Sequence, residues 1–180
     1  MDDRILRALA AQAPCPPILL APASIRLASH PRGRGPVQCW WRHRFRGELY
    51  TPPQTPHVVA VHVQDAPRLI QGRDGRCQEA PAHKDDALIV RAGQPTFWYG
   101  KDLSPLNIAL DPAFLQRVAL ETCGSDPGRI ELCDVFSTRD PTLARLAWLC
   151  CPELQTGGLG GPAYLEALGI LLAVHLLRGV

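Results

Sequence analysis

The sequence predicts an α+β fold in which a small antiparallel barrel of strands comes first and helices follow. Three observations predict it. Between Gln38 and Leu110 the chain breaks into at least six short runs that alternate in polarity or are rich in β-branched residues, the close spacing of an antiparallel sandwich or barrel. From Asp111 onward the apolar residues recur at helical spacing instead. Strands and helices are segregated along the chain, which is the order of an α+β domain with its helices gathered on one side.

The elements follow in order. Residues 2–12 suit a short helix, stopped by Pro14, Pro16, Pro17 and Pro22. Residues 13–37, rich in Pro, Gly, Ser and Arg, read as an arm or loop. The run QCWWRHRFRGEL from Gln38 alternates as one strand: Cys39, Trp41, His43 and Phe45 on one face, Trp40, Arg42, Arg44 and Arg46 on the other. His57–Val63 is a β-branched strand. Arg68–Gln71 and Arg76–Glu79 flank Asp74-Gly75 as a hairpin. Ala87–Arg91, Thr96–Tyr99 and Leu106–Leu110 are further strands, with a turn at residues 92–95. Asp111 caps a helix with Pro112 at its first position, and Gly124–Gly128 ends it. Residues 129–136 form an extended link. Asp140-Pro141 repeats the cap chemistry for a helix to about Leu149, and Gly157–Gly161 separates it from a last helix, Pro162–Arg178. The domain plan is an arm over 1–37, a barrel over 38–111 and a helical segment over 112–180.

Composition bounds the function. With 180 residues, 46% hydrophobic and 20% charged, the chain suits one domain with a real core. A net charge of +2 gives no support to a nucleic-acid footprint. The N-terminus is not a signal peptide, and the longest apolar stretch is too short and interrupted to span a membrane. Seven scattered cysteines without a C-x-x-C pair do not form a disulfide framework, so a reducing cytoplasm is expected. Cys150 and Cys151 are adjacent, and side chains about 100° apart on a helix do not chelate well, so core packing is the expectation. There is no Gly-x-Ser-x-Gly elbow, and GGLGG at residues 157–161 lacks the lysine and strand of a phosphate loop.

Taken in order, PHVVAVHV, DALIVRAGQPTFWYG, LNIALDPAFLQRVALE, RIELCDVFSTRDPTLARLAWL and AYLEALGILLAVHLLR resemble the N-terminal sensor domain of AraC-type transcriptional regulators. The resemblance runs from near Pro56 to the end. It implies a cupin-like barrel that binds a small effector, helices that form a dimer, and a separate helix-turn-helix domain for DNA. Val180 stands where the sensor domain of relatives ends, so the chain is expected to be either a fragment of a longer regulator or a stand-alone sensor, and no DNA binding is expected of it alone.

Enzymatic cupins hold a metal with histidines and a glutamate from two motifs. The resemblance places the second motif at Arg91-Ala92-Gly93 and the metal histidine's position at Thr96, and Thr is no replacement. No His-x-His occurs, and His57 and His62 fall on opposite faces of their strand. No metal, no cofactor and no enzymatic activity are therefore expected. The candidate ligand-binding residues are Arg44, Thr96, Trp98 and Asn107, with Trp40 and His62 as outer candidates: a guanidinium for a carboxylate or hydroxyl, indoles for stacking, and Asn and Thr for orientation. Which faces look inward is left open by alternation alone.

Leu165, Leu168, Leu172 and Leu176 follow helical spacing, while Ile170, Leu171, Val174 and Leu177 widen the apolar stripe. One sheet needs only one stripe. The resemblance implies that a second subunit takes the surplus, with the four leucines as the interface of a C2 homodimer. The expected function is effector sensing and dimerisation for an AraC-type regulator. The alternatives are a cupin-fold enzyme or metal-binding protein, and a dimerisation module that binds nothing.

Overall fold

Turn chemistry sets the strand boundaries. The computed structural model describes residues 25–28, 35–42, 44–123, 130–156 and 161–179. Its strands are β1 (Ile25–Ala28), β2 (Val37–Arg42), β3 (Phe45–Thr51), β4 (His57–His62), β5 (Ala66–Arg73), β6 (Arg76–Ala82), β7 (Ala87–Val90), β8 (Thr96–Leu103), β9 (Pro105–Leu110) and β10 (Val135–Thr138). Its helices are α1 (Pro112–Cys123), α2 (Pro141–Trp148), α3 (Cys150–Thr156) and α4 (Gly161–Leu177). The expectations for a helix over residues 2–12, the loop at 13–24 and 29–34, the glycine stop at 124–128 and the loop at 157–160 lie outside the described residues.

The α+β class and the strands-then-helices order are as the sequence predicts. One antiparallel sheet runs β1-β2-β9-β4-β7-β10 and the other β3-β8-β5-β6. The Asp74-Gly75 hairpin forms with both residues at positive φ, 51° and 68°, the backbone of a type I′ turn. Asp140 caps α2, its Oδ1 accepting from the N–H groups of Thr142 and Leu143 at 2.9 Å each. Asp111 Oδ1 likewise accepts from Ala113 N–H at 2.8 Å.

Three local expectations need correction. The run from Gln38 to Leu49 is two strands in different sheets. The chain turns between Arg42 and Phe45, and Arg44 takes a φ of 45°, a conformation that costs energy for any residue with a Cβ. Its N–H is satisfied by Ser104 Oγ at 3.0 Å. Part of the predicted arm is strand β1, which pairs with β2. The link after α1 ends in strand β10, which pairs with β7 at the sheet edge.

The two faces of the large sheet do different work. Cys39, Val59, Val61, Ile89, Leu106, Ile108 and Leu110 point to the helices and join Phe114, Leu115, Val118, Leu143, Cys150, Leu165, Leu168 and Leu172 in the main core. Residues of opposite parity face the small sheet. Gly169 lets α4 lie directly on β2: a Cβ there would overlap Val37 and stand 3.3 Å from Phe114 Cε1.

This packing also corrects the expected interface. Leu165, Leu168, Leu172 and Leu176 are all buried in the domain's own core, so they are not free to meet a partner. The apolar side of α4 left outward consists of Ala163, Ala167, Ile170 and Leu171, with Val174 half-buried beside them. No helix among the described residues is long and apolar enough to cross a membrane.

Candidate functional site

The inward face of the large sheet and the small sheet form the walls of a partly open cavity of about 180 Å³. Strand register builds its walls. Across the large sheet, Trp40 stands opposite Asn107, Asn107 opposite Ala60 and Ala60 opposite Leu88. Across the small sheet, Leu49 stands opposite Trp98 and Thr51 opposite Thr96. All eight residues line the cavity, together with Arg42, Phe45, Val58, His62, Leu69, Val90 and Leu103. The lining is mostly hydrocarbon and indole, with a few polar groups set among them, as in small-molecule pockets generally.

The cavity gathers Trp40, His62, Thr96, Trp98 and Asn107 from the sequence candidates. It does not include Arg44, which is exposed in the β2–β3 turn. Arg42 lines the wall instead. Arg42 shares the face of Trp40 on β2, and that parity was the available signal. The chain turns one residue before the predicted strand would have carried the same face on to Arg44.

Several polar groups are held in place. Trp98 Nε1 donates to Thr96 Oγ1 at 2.8 Å, which fixes the indole against its own strand. Asn107 Nδ2 donates to the Pro105 carbonyl at 3.1 Å, leaving its side-chain oxygen for another donor. Others lack partners: Trp40 Nε1, Arg42 Nε and His62 Nδ1 are buried without a hydrogen bond. Burial lowers the pKa of Arg42.

His62 is buried, and burial pushes its pKa down to about 4, with Asp86 pulling weakly the other way. The imidazole is therefore neutral at pH 7. Because the folded pKa lies below the unfolded value of 6.5, the unfolded chain binds the extra proton first on acidification. The stability tied to neutral His62 is complete above pH 6.5 and is lost as pH falls towards 4, by up to about 3 kcal/mol. His62→Gln is expected to flatten that acid limb in chemical-denaturation curves taken at stepped pH. An unchanged slope between pH 6.5 and 4 would assign the limb to other groups.

The donor set does not fit the cupin metal. Thr96 occupies the position expected of the second-motif histidine, and its hydroxyl already accepts from Trp98. His57 faces away from the cavity, and its Nδ1 accepts from the Ala92 N–H at 3.1 Å. Among the described residues no three His, Cys, Asp or Glu side chains converge. Cys150 is buried in the helical core and Cys151 half-buried beside it.

No family model and no curated protein matches the chain. Its likeness is to solved structures. The AraC-like transcriptional activator CuxR superposes with a TM-score of 0.56 at 12% identity, over 81% of this chain and 53% of that one. A cupin superfamily protein from Desulfitobacterium hafniense matches over 47% of this chain and 76% of its own, at 18% identity and a TM-score of 0.36. The plu4264 protein from Photorhabdus luminescens matches over 42% and 63%, at 15% identity and a TM-score of 0.36. The chain thus spans about half the length of CuxR, and at these identities the likeness is one of fold: the domain is cupin-like, with helices after the barrel.

Proposed function

We propose that the chain is the effector-sensing and dimerisation domain of an AraC-type transcription regulator. It binds a small molecule in a metal-free barrel and catalyses no reaction. The cavity carries this reading: apolar walls, two indoles and a few placed polar groups between the sheets. The superposition on CuxR supports it, because the match extends beyond the strands to 81% of the chain. The domain works in the cytoplasm, pairs with a second copy through the outward apolar side of α4, and leaves DNA to a separate part of the regulator.

A thermal-shift screen against a metabolite panel tests the sensing role. A ligand that binds only the folded state raises the melting temperature, by RT ln(1 + [L]/Kd) in free energy, and at least one small molecule is expected to do so in a saturable way. Bound iron, manganese or zinc at defined stoichiometry would instead favour a cupin enzyme. Tight operator binding by this chain in a gel shift would overturn the division of labour.

A further inference from the structure

We propose that the barrel takes a small apolar monocarboxylate, with the Arg42 guanidinium as its charge partner. This rests on the reading above that the barrel is a ligand site, and adds the chemistry of the ligand.

Five described arginines meet carboxylates: Arg46 with Asp102 at 3.3 Å, Arg68 with Glu79 at 2.7 Å, Arg73 with Asp134 at 3.0 Å, Arg117 with Glu166 at 2.9 Å and Arg139 with Asp86 at 3.4 Å, while Arg44, Arg76, Arg145 and Arg178 are exposed to water. Arg42 differs. Among the described residues its side chain makes no ion pair and its buried Nε no hydrogen bond. Its one polar contact is a stack 5.7 Å over the Phe45 ring. Arg42 is half-buried with its Nε fully covered, and a cation partly withdrawn from water gains from a counter-charge or strong hydrogen bonds that offset desolvation. Among the described residues none that lines the cavity is an Asp or Glu, so they supply no such charge there.

The same wall limits what the anion can be. Among the described residues Arg42 is the sole arginine or lysine in the lining, and His62 is neutral. One positive charge matches one negative charge, which favours a carboxylate over a phosphate dianion. A carboxylate only accepts hydrogen bonds and does so planarly, fitting a guanidinium fork. Trp40 Nε1, also buried without a partner, is a second donor on the same face of β2. Most of the remaining wall is hydrocarbon, from Val58, Ala60, Leu69, Leu88, Val90 and Leu103, with Thr51, Gln54, Thr96 and Asn107 as scattered polar points. A sugar placed there would set most of its hydroxyls against hydrocarbon. An apolar cavity of about 150 Å³ holds benzene, so a partly open cavity of 180 Å³ has room for at least a single ring or short branched chain bearing one acid group.

The test uses matched pairs at pH 7.5: phenylacetate against phenylacetamide, and 4-methylpentanoate against its primary amide, with inorganic phosphate as a third probe. Calorimetry and thermal shift read binding. The acids are expected to bind and stabilise, and the amides and phosphate to do neither. Arg42→Met and Arg42→Gln are expected to weaken acid binding about ten- to a hundredfold, the range for a lost charged hydrogen bond. Arg42→Met is also expected to raise the melting temperature of the ligand-free protein, because it removes an unpaired buried donor. If amides bind as well as acids, if phosphate binds through Arg42, or if both variants keep full acid affinity, the charge assignment falls while the barrel remains a ligand site. If these probes and the whole metabolite panel fail to bind, the ligand-site reading falls with it.

Discussion

Asp134→Ala is expected to destabilise the folded domain by about 3–5 kcal/mol, the cost of leaving a buried charge without its partner. The Arg73 side chain is 0% exposed and that of Asp134 is 4% exposed. Arg73 Nε stands 3.0 Å from Asp134 Oδ1 as an ion pair, at an angle unsuited to a hydrogen bond. The rest of the guanidinium is well bonded. Nη1 donates to Gln71 Oε1 at 2.9 Å, and Nη2 donates to the carbonyls of Val135 at 2.8 Å and Ile89 at 3.2 Å. Its Cζ lies 4.0 Å from the Phe136 ring centroid and 5.7 Å from that of Trp98. Asp134 Oδ1 in turn accepts the Arg91 N–H at 3.0 Å. Burial still pulls the Arg73 pKa down to about 10, with Asp134 opposing the shift, so the cation survives at neutral pH because it is paired.

This clasp joins β5 of the small sheet to the segment that enters β10 at the edge of the large one. Removing the carboxylate strands the arginine, whereas removing both charges does not. Arg73→Met with Asp134→Ala is therefore expected to recover much of the loss, since an apolar replacement for a buried pair is often near neutral. Urea unfolding at pH 7 reads both numbers. A loss below about 1 kcal/mol for Asp134→Ala would place this pair with exposed surface bridges in strength and remove the clasp as a stabilising element.

Nothing local announces that clasp. Arg73 precedes a turn and Asp134 sits in an extended link, and only the tertiary fold brings β5 and β10 together. Other features were legible because the chemistry is local: Asp74-Gly75 for the hairpin, Asp140-Pro141 for the helix cap, and the shift from period two to helical spacing at Asp111. The β2–β3 run shows where local pattern misleads. Alternation continues in phase through the turn, and Arg44 takes a left-handed backbone without the Gly or Asn that normally marks one. Period two shows that a segment is strand, but not that it changes sheets. It could not reveal which face looks inward either, because β4 is buried on both: Val59 and Val61 against the helices, Ala60 and His62 towards the cavity. That is why Trp98, Thr96 and Asn107 were legible as candidates by residue type, while the arginine came out one turn too late.

Leu171 and Leu172 separate the two roles that α4 combines. Leu172 is 1% exposed and Leu171 is 55% exposed. Adjacent helical side chains diverge by about 100°, so one enters the core while the other faces out. Leu172→Ala is expected to cost about 2–5 kcal/mol. Relaxation is restricted there, because Gly169 already seats α4 against Val37 and Phe114 with no room to sink further. Leu171→Glu is expected to shift monomer stability by no more than about 0.5 kcal/mol, as an exposed substitution does, yet to dissociate the proposed dimer. The charge would sit among Ala167, Ile170 and Val174, the patch offered to the second copy. Sedimentation equilibrium across a concentration series, with urea unfolding of each variant, reads the two effects apart. A wild-type chain that stays monomeric at high concentration, or a Leu171→Glu variant that stays dimeric, would sink this interface. If Leu172→Ala dissociated a dimer while leaving fold stability intact, the interface would return to the four leucines that the sequence pattern first suggested.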